Sequence, residues 1–333
     1  MILFVSCICL LYLLSLWGKK TEDLNKGKTS VLKGVMAIII VLHHMSLQGI
    51  ESLAQFFSWG APIVSVFFFI SGYGLSLSFF SKGNIYLSNF ISRRILKNLL
   101  LPFILAWALY RIINWCALPD LVTEIYNLVF KGITLLPHSW YVYAILLFYI
   151  FFYIACRLCK RNFPFLILVL TIVYILVCEY AGFDRCWYIS SLAFPAGVFA
   201  GKYIKSLKGF ISSGIKYLIF VPLCISLIGL FVYSRNEILY MFVYILIPIM
   251  ITMICMKIKL EELCRFKLVS FLSGISYEIY LCQGISMSIC RGNRCYIEND
   301  YIYIMLVLIV TALLAFLINK VKIVLESVFF KVS

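Results

Sequence analysis

Charge is scarce in this chain, and negative charge is scarcest. Only 13% of its 333 residues are charged, with 14 Asp and Glu against 29 Lys and Arg. A water-soluble domain of this length needs a polar surface. So little charge, beside 64% hydrophobic residues and a mean hydropathy of +1.03, excludes one. The net charge of +15 comes without a long basic run or a basic patch interleaved with aromatics, so it does not mark a nucleic-acid binder. No inter-segment stretch is long enough for a separate soluble domain. A repeat with a period of about 20–50 residues is also missing, which excludes solenoids and propellers. The first 17 residues lack a basic leader and an A-x-A-like cleavage site and are read as a retained helix. Thirteen cysteines are present, yet no metal-like pattern: Cys156 and Cys159 have CxxC spacing without partner histidines, and no metal is expected. Most cysteines read as small buried hydrophobes. Cys290 and Cys295 flank a short loop and could pair in an oxidising compartment.

What is abundant is apolar helix. Stretches at 1–17, 34–50, 60–80, 98–116, 140–157, 163–181, 187–204, 214–234, 237–256, 269–289 and 301–319 are long enough, or nearly so, to cross about 30 Å of hydrocarbon. The expected fold is all-α, a polytopic transmembrane bundle of about 11 helices in a lipid bilayer. Lys and Arg alternate between loops. All but Arg111, Lys131, Arg185, Arg235, Arg291 and Arg294 fall on one side, which the positive-inside rule assigns to the cytoplasm. A multi-pass cell-membrane protein follows, with its N-terminus outside and its C-terminus cytoplasmic. The longest outer loop, 117–139, carries apolar residues at Leu121, Val122, Ile125, Leu128 and Val129, the spacing of an interfacial helix.

One helix joins a cation to an imidazole. The eleven steps from Lys33 to His44 return to within about 20° of the same face, about 16 Å further along the axis. His43 points about 100° away and reads as a packing or supporting residue. An imidazole facing lipid is costly, so His44 is expected to face protein or a watery cavity, either as a catalytic group or as a polar contact between helices. Lys33 and His44 are expected to open onto one continuous route.

Lys33-x10-His44 resembles the Arg/Lys-x10-His signature of the acyltransferase-3 family of integral-membrane O-acyltransferases. Phe67-Phe68-Phe69-Ile70-Ser71-Gly72-Tyr73 resembles its FFxISGF-type segment, and Arg93-Arg94-Ile95-Leu96-Lys97 before Pro102 its RRxxR run. Ser139-Trp140-Tyr141 is similar to its Trp-containing helix, and Ser276-Tyr277-Glu278-Ile279-Tyr280-Leu281 to its SYxIYLxH segment. The likeness spans about residues 30–320, leaving 1–29 as an additional N-terminal helix and basic loop before a ten-helix membrane acyltransferase domain at 30–333.

The resemblance implies transfer of an acetyl group from cytoplasmic acetyl-CoA, a co-substrate rather than a bound cofactor. The acceptor it implies is a hydroxyl of a surface polysaccharide or lipid-linked sugar. His44 is then the general base or an acylated intermediate, with Lys33 its catalytic companion. Arg93, Arg94 and Lys97 hold the donor phosphates, or are ordinary positive-inside anchors. Ser71, Tyr73, His138, Trp140 and Glu278 are candidates for positioning substrate; Ser71 with Gly72 equally suits close helix packing. The chain departs from the pattern in placing Lys97 at the second arginine, Gln283 at the terminal histidine, and apolar residues where a Glu-Glu-Gln element is usual. The acidic partner of His44 is therefore open among Glu51, Glu179, Asp184 and Glu278. A transporter or flippase would show paired Gly/Pro-broken helices, and a polymerase of lipid-linked glycans a large external loop; neither stands out.

Overall fold

The computed structural model describes residues 2–18, 21–115, 118–292 and 295–329. Lys19, Lys20, Arg294 and Lys331, which entered the charge asymmetry, lie outside the described residues.

Hydrocarbon offers the backbone no hydrogen-bonding partner, so each crossing segment must satisfy its own amides as a helix. Among the described residues eight helices are long and apolar enough to cross a membrane: Lys26–Ser46, Gly60–Lys82, Ile91–Ile113, Trp140–Leu158, Phe163–Tyr180, Gly214–Ser234, Glu237–Cys255 and Asp300–Val328. The other three of the eleven expected stretches are shorter or broken. The first is a helix of 15 residues, Ile2–Leu16. The stretch at 187–204 begins after a single turn, Arg185–Trp187, and holds only the ten-residue helix Ala193–Lys202. The stretch at 269–289 is two helices, Lys267–Gly274 and Ser276–Cys290, bent by 78° at Ile275. The protein is a polytopic helical membrane bundle. Its outer surface is apolar, with Leu223, Ile309 and Leu313 all at least half exposed, as a lipid-facing surface requires.

Glycines set a close crossing. Gly72 faces the Phe194 carbonyl and Gly197 faces the Phe69 carbonyl, so a Cβ at either position would strike backbone. The Gly60–Lys82 helix and the short Ala193–Lys202 helix therefore pack backbone against backbone. Gly34 plays the same part against Ser273, seating the Lys267–Gly274 helix on the helix that carries Lys33 and His44. The broken pair in turn packs on Asp300–Phe329. The N-terminal helix packs against Gly214–Ser234 and Glu237–Cys255, where the Ser15 and Tyr217 hydroxyls meet at 2.5 Å, and its Phe4 ring meets Trp59 at the start of the Gly60–Lys82 helix.

The amphipathic stretch in the longest loop is the helix Leu121–Lys131, capped by Asp120 and ended by Gly132 at φ 65. Its apolar residues Val122, Ile125, Val129 and Phe130 are exposed and Glu124 is buried, the reverse of a soluble helix. That polarity suits an interfacial helix with lipid on its outer face. The pairing weighed for Cys290 and Cys295 is not formed, and both thiols are free. Cys290 is buried at a helix end and Cys295 is exposed, while backbone bonds from Gly292 to Cys295 and from Ile297 to Cys290 close the loop instead.

Candidate active site

A cavity of about 590 Å³ opens beside His43, His44, His138 and Trp140, a size suited to a small-molecule or sugar substrate. The His44 ring is buried, and its Nδ1 lies 2.9 Å from Gln283 Oε1. An amide oxygen only accepts, so Nδ1 carries the proton and Nε2 keeps its lone pair. His138 stacks on this ring, with centroids 4.1 Å apart and planes 17° from parallel. Its backbone has φ 62, a left-handed conformation that costs a non-glycine residue energy and is offset by the surrounding packing. Burial, reinforced by the nearby His43, pushes His138 down to about 4, so it is a neutral ring at physiological pH. His43 turns the other way, with Nδ1 3.0 Å from the Phe56 carbonyl, and fills the space that a Cβ on Gly60 would need. The three imidazoles do not make a metal site: no group of three His, Cys, Asp or Glu able to hold a metal ion occurs among the described residues.

A second cavity, of about 270 Å³, lies at the other end of the same helix and is lined by Lys33, Ser71, Arg94, Glu278, Tyr280 and Lys322, among others. Glu278 Oε1 accepts from Lys322 at 3.0 Å and from Asn319 at 3.2 Å, and Arg94 Nε donates to the Tyr86 hydroxyl at 3.3 Å. Three cations against one carboxylate leave this chamber positive, suited to phosphate oxygens. Of the Arg93-Arg94-x-x-Lys97 run, only Arg94 reaches it. Arg93 is exposed, and Lys97 pairs with Glu326 at 3.2 Å. The run is wound as a π-helix, Ile91–Leu100, whose i→i+5 bonding alters the angular spacing and spreads the three cations over different faces.

Lys33 and His44 share a helix face but not a chamber. Tyr280 lines both cavities, its hydroxyl donating to the His138 carbonyl at 2.5 Å and its ring set edge-on to Tyr141 at 5.6 Å. The single route expected from the spacing is thus divided by this ring. Ser71 and Glu278 belong to the Lys33 chamber and His138 and Trp140 to the His44 chamber; Tyr73 is buried in the core and lines neither. None of the four candidate acids accepts a hydrogen bond from His44. Glu51 and Glu179 are exposed elsewhere, Asp184 sits at the rim of the His44 chamber, and Glu278 lies in the other one. Gln283, which the sequence presented as a departure, is the partner.

Two residues escaped the sequence reading. Tyr280 sits inside a recognised motif but carries no charge to single it out. Glu124 lies in the stretch read as an interfacial helix, but nothing in the sequence marks it for the site rather than for the helix's polar face.

No curated protein and no solved structure matches the chain. The acyltransferase domain family does match, over residues 29–320. That span contains the His44 chamber and, Lys322 apart, the residues of the Lys33 chamber, and the chain belongs to the acyltransferase-3 family of membrane acyltransferases.

Proposed function

We propose that this protein is an O-acetyltransferase of the bacterial cell membrane. It moves the acetyl group of cytoplasmic acetyl-CoA to a hydroxyl of an extracellular or cell-envelope polysaccharide, or of its lipid-linked precursor. The observation that carries this reading is the His44 ring: its Nδ1 proton is held by Gln283, which leaves Nε2 unprotonated, and the residue lines a chamber large enough for a sugar. With the N-terminus outside, as the loop charges favour, that chamber faces outward and the positive one faces the cytoplasm.

The donor's phosphates lie against Lys33 and Arg94. The acceptor hydroxyl gives its proton to His44 Nε2 as its oxygen attacks the thioester carbonyl carbon. The tetrahedral intermediate collapses with cleavage of the C–S bond, and the imidazolium returns the proton to the departing thiolate. For the thioester to reach the histidine, the Tyr280 ring must swing aside, breaking its bond to the His138 carbonyl.

His44→Ala removes the base. In cells, surface-glycan acetylation falls by about 10²–10⁴-fold while the protein's membrane level is unchanged, read as acetyl signals in NMR of the isolated polysaccharide. Retained acetylation would remove His44 from the reaction.

A further inference from the structure

The His44 chamber contains a carboxylate with a free oxygen. Glu124 is only 7% exposed and lines the cavity wall. Its Oε1 is held by Arg111 Nη1 at 2.9 Å, while its Oε2 is buried without a hydrogen-bond partner. Arg111 is anchored from behind by the Pro119 carbonyl at 2.8 Å and does not line the cavity, so the chamber sees the carboxylate side of the pair. A buried acceptor atom left unsatisfied is costly, and the residue that carries it belongs to the wall of the substrate chamber. On the wall beside it, Trp140 and Trp187 stand with ring centroids 6.5 Å apart. Lys131 and Asp184 are both exposed at the rim and oppose each other in sign, leaving Glu124 as the buried charge of the wall.

We propose that Glu124 is the acceptor-binding residue of this site, taking a hydrogen bond from a hydroxyl of a neutral sugar packed on the paired tryptophans, and that it discriminates against uronic acids. The inference rests on the transfer reading above. A neutral sugar offers O–H donors for a carboxylate oxygen and apolar C–H faces for aromatic rings. An acidic sugar brings a second carboxylate to a buried one, and like charges in a low dielectric repel strongly.

The test uses the full chain in lipid nanodiscs with acetyl-CoA and two matched acceptors, p-nitrophenyl β-glucoside and p-nitrophenyl β-glucuronide, following both CoA release and glycoside acetylation. The wild type acetylates the glucoside in preference to the glucuronide. Loss of one hydrogen bond to a charged group in Glu124→Gln raises the glucoside KM about tenfold or more, with the KM for acetyl-CoA unchanged. Glu124→Asp keeps the charge beside Arg111 but withdraws the oxygen, and gives an intermediate KM; it carries the test if the glutamine variant does not fold. Equal use of the two glycosides, acetylation of neither, or a glucoside KM indifferent to Glu124 overturns the proposal. The transfer reading fails separately, by CoA release that does not depend on His44.

Discussion

Gln283 sets the chemistry available to His44. Because the amide oxygen accepts from Nδ1, the neutral imidazole is held in the tautomer whose other nitrogen is basic, and no acid is needed to choose it. Gln283→Ala frees the ring to adopt either tautomer and to rotate, so kcat falls about tenfold or more while the KM for acetyl-CoA holds. Gln283→Glu keeps an acceptor on Nδ1 and preserves a larger share of kcat. Steady-state kinetics on the two variants separates a positioning role from simple packing, which both changes would disturb alike. Motif order in the sequence located this residue, but its side chain reads as a departure there. Only the 2.9 Å contact across the bundle shows that an amide can stand where an acid was sought.

At the scale of helices, two glycines predict opposite outcomes for one chemical change. Gly197 is pressed on the Phe69 backbone, and a methyl group there forces the Gly60–Lys82 and Ala193–Lys202 helices apart. Gly197→Ala therefore destabilises by about 1–3 kcal/mol. Gly209, at an exposed position of the helix Ile204–Ser212, has nothing within 4 Å of a built Cβ. Gly209→Ala is stabilising by about 0.5–1 kcal/mol through the helix propensity of alanine. Thermal unfolding midpoints of the purified variants check both signs. The apolar runs were legible because composition and length alone make a crossing helix. The kink at Ile275 and the short Ala193–Lys202 helix were not, since each depends on what the neighbouring helices leave room for.

Across the whole molecule, the two chambers lie at opposite ends of the His44 helix, and the proposed reaction requires them to face opposite sides of the membrane. Exposed cysteines report the side: Cys295 lies beyond the His44 end of the bundle and Cys159 beyond the Lys33 end. In variants keeping one of these cysteines at a time, a membrane-impermeant maleimide labels Cys295 in intact cells and Cys159 only after permeabilisation. The inverse pattern would put the donor chamber outside and end the proposed direction of transfer. The loop charges pointed to this orientation from the sequence, because positive residues resist translocation wherever they lie in short loops.

The sequence by itself determined the class of this protein: a bilayer-spanning helical bundle, its family, and the two polar residues on one stripe of one helix. The bundle and the stripe follow from composition, run length and local spacing, and the family from the resemblance of motifs in order along the chain; none of these needs knowledge of neighbours. Tertiary packing alone decided that Arg94 faces the positive chamber while Arg93 and Lys97 do not. It also decided that Tyr280 stands between the Lys33 and His44 chambers, and that Glu124 in the wall of the latter leaves one carboxylate oxygen without a partner. Each of these depends on which helix lies opposite, and contacts between residues far apart in the chain leave no periodic trace along it.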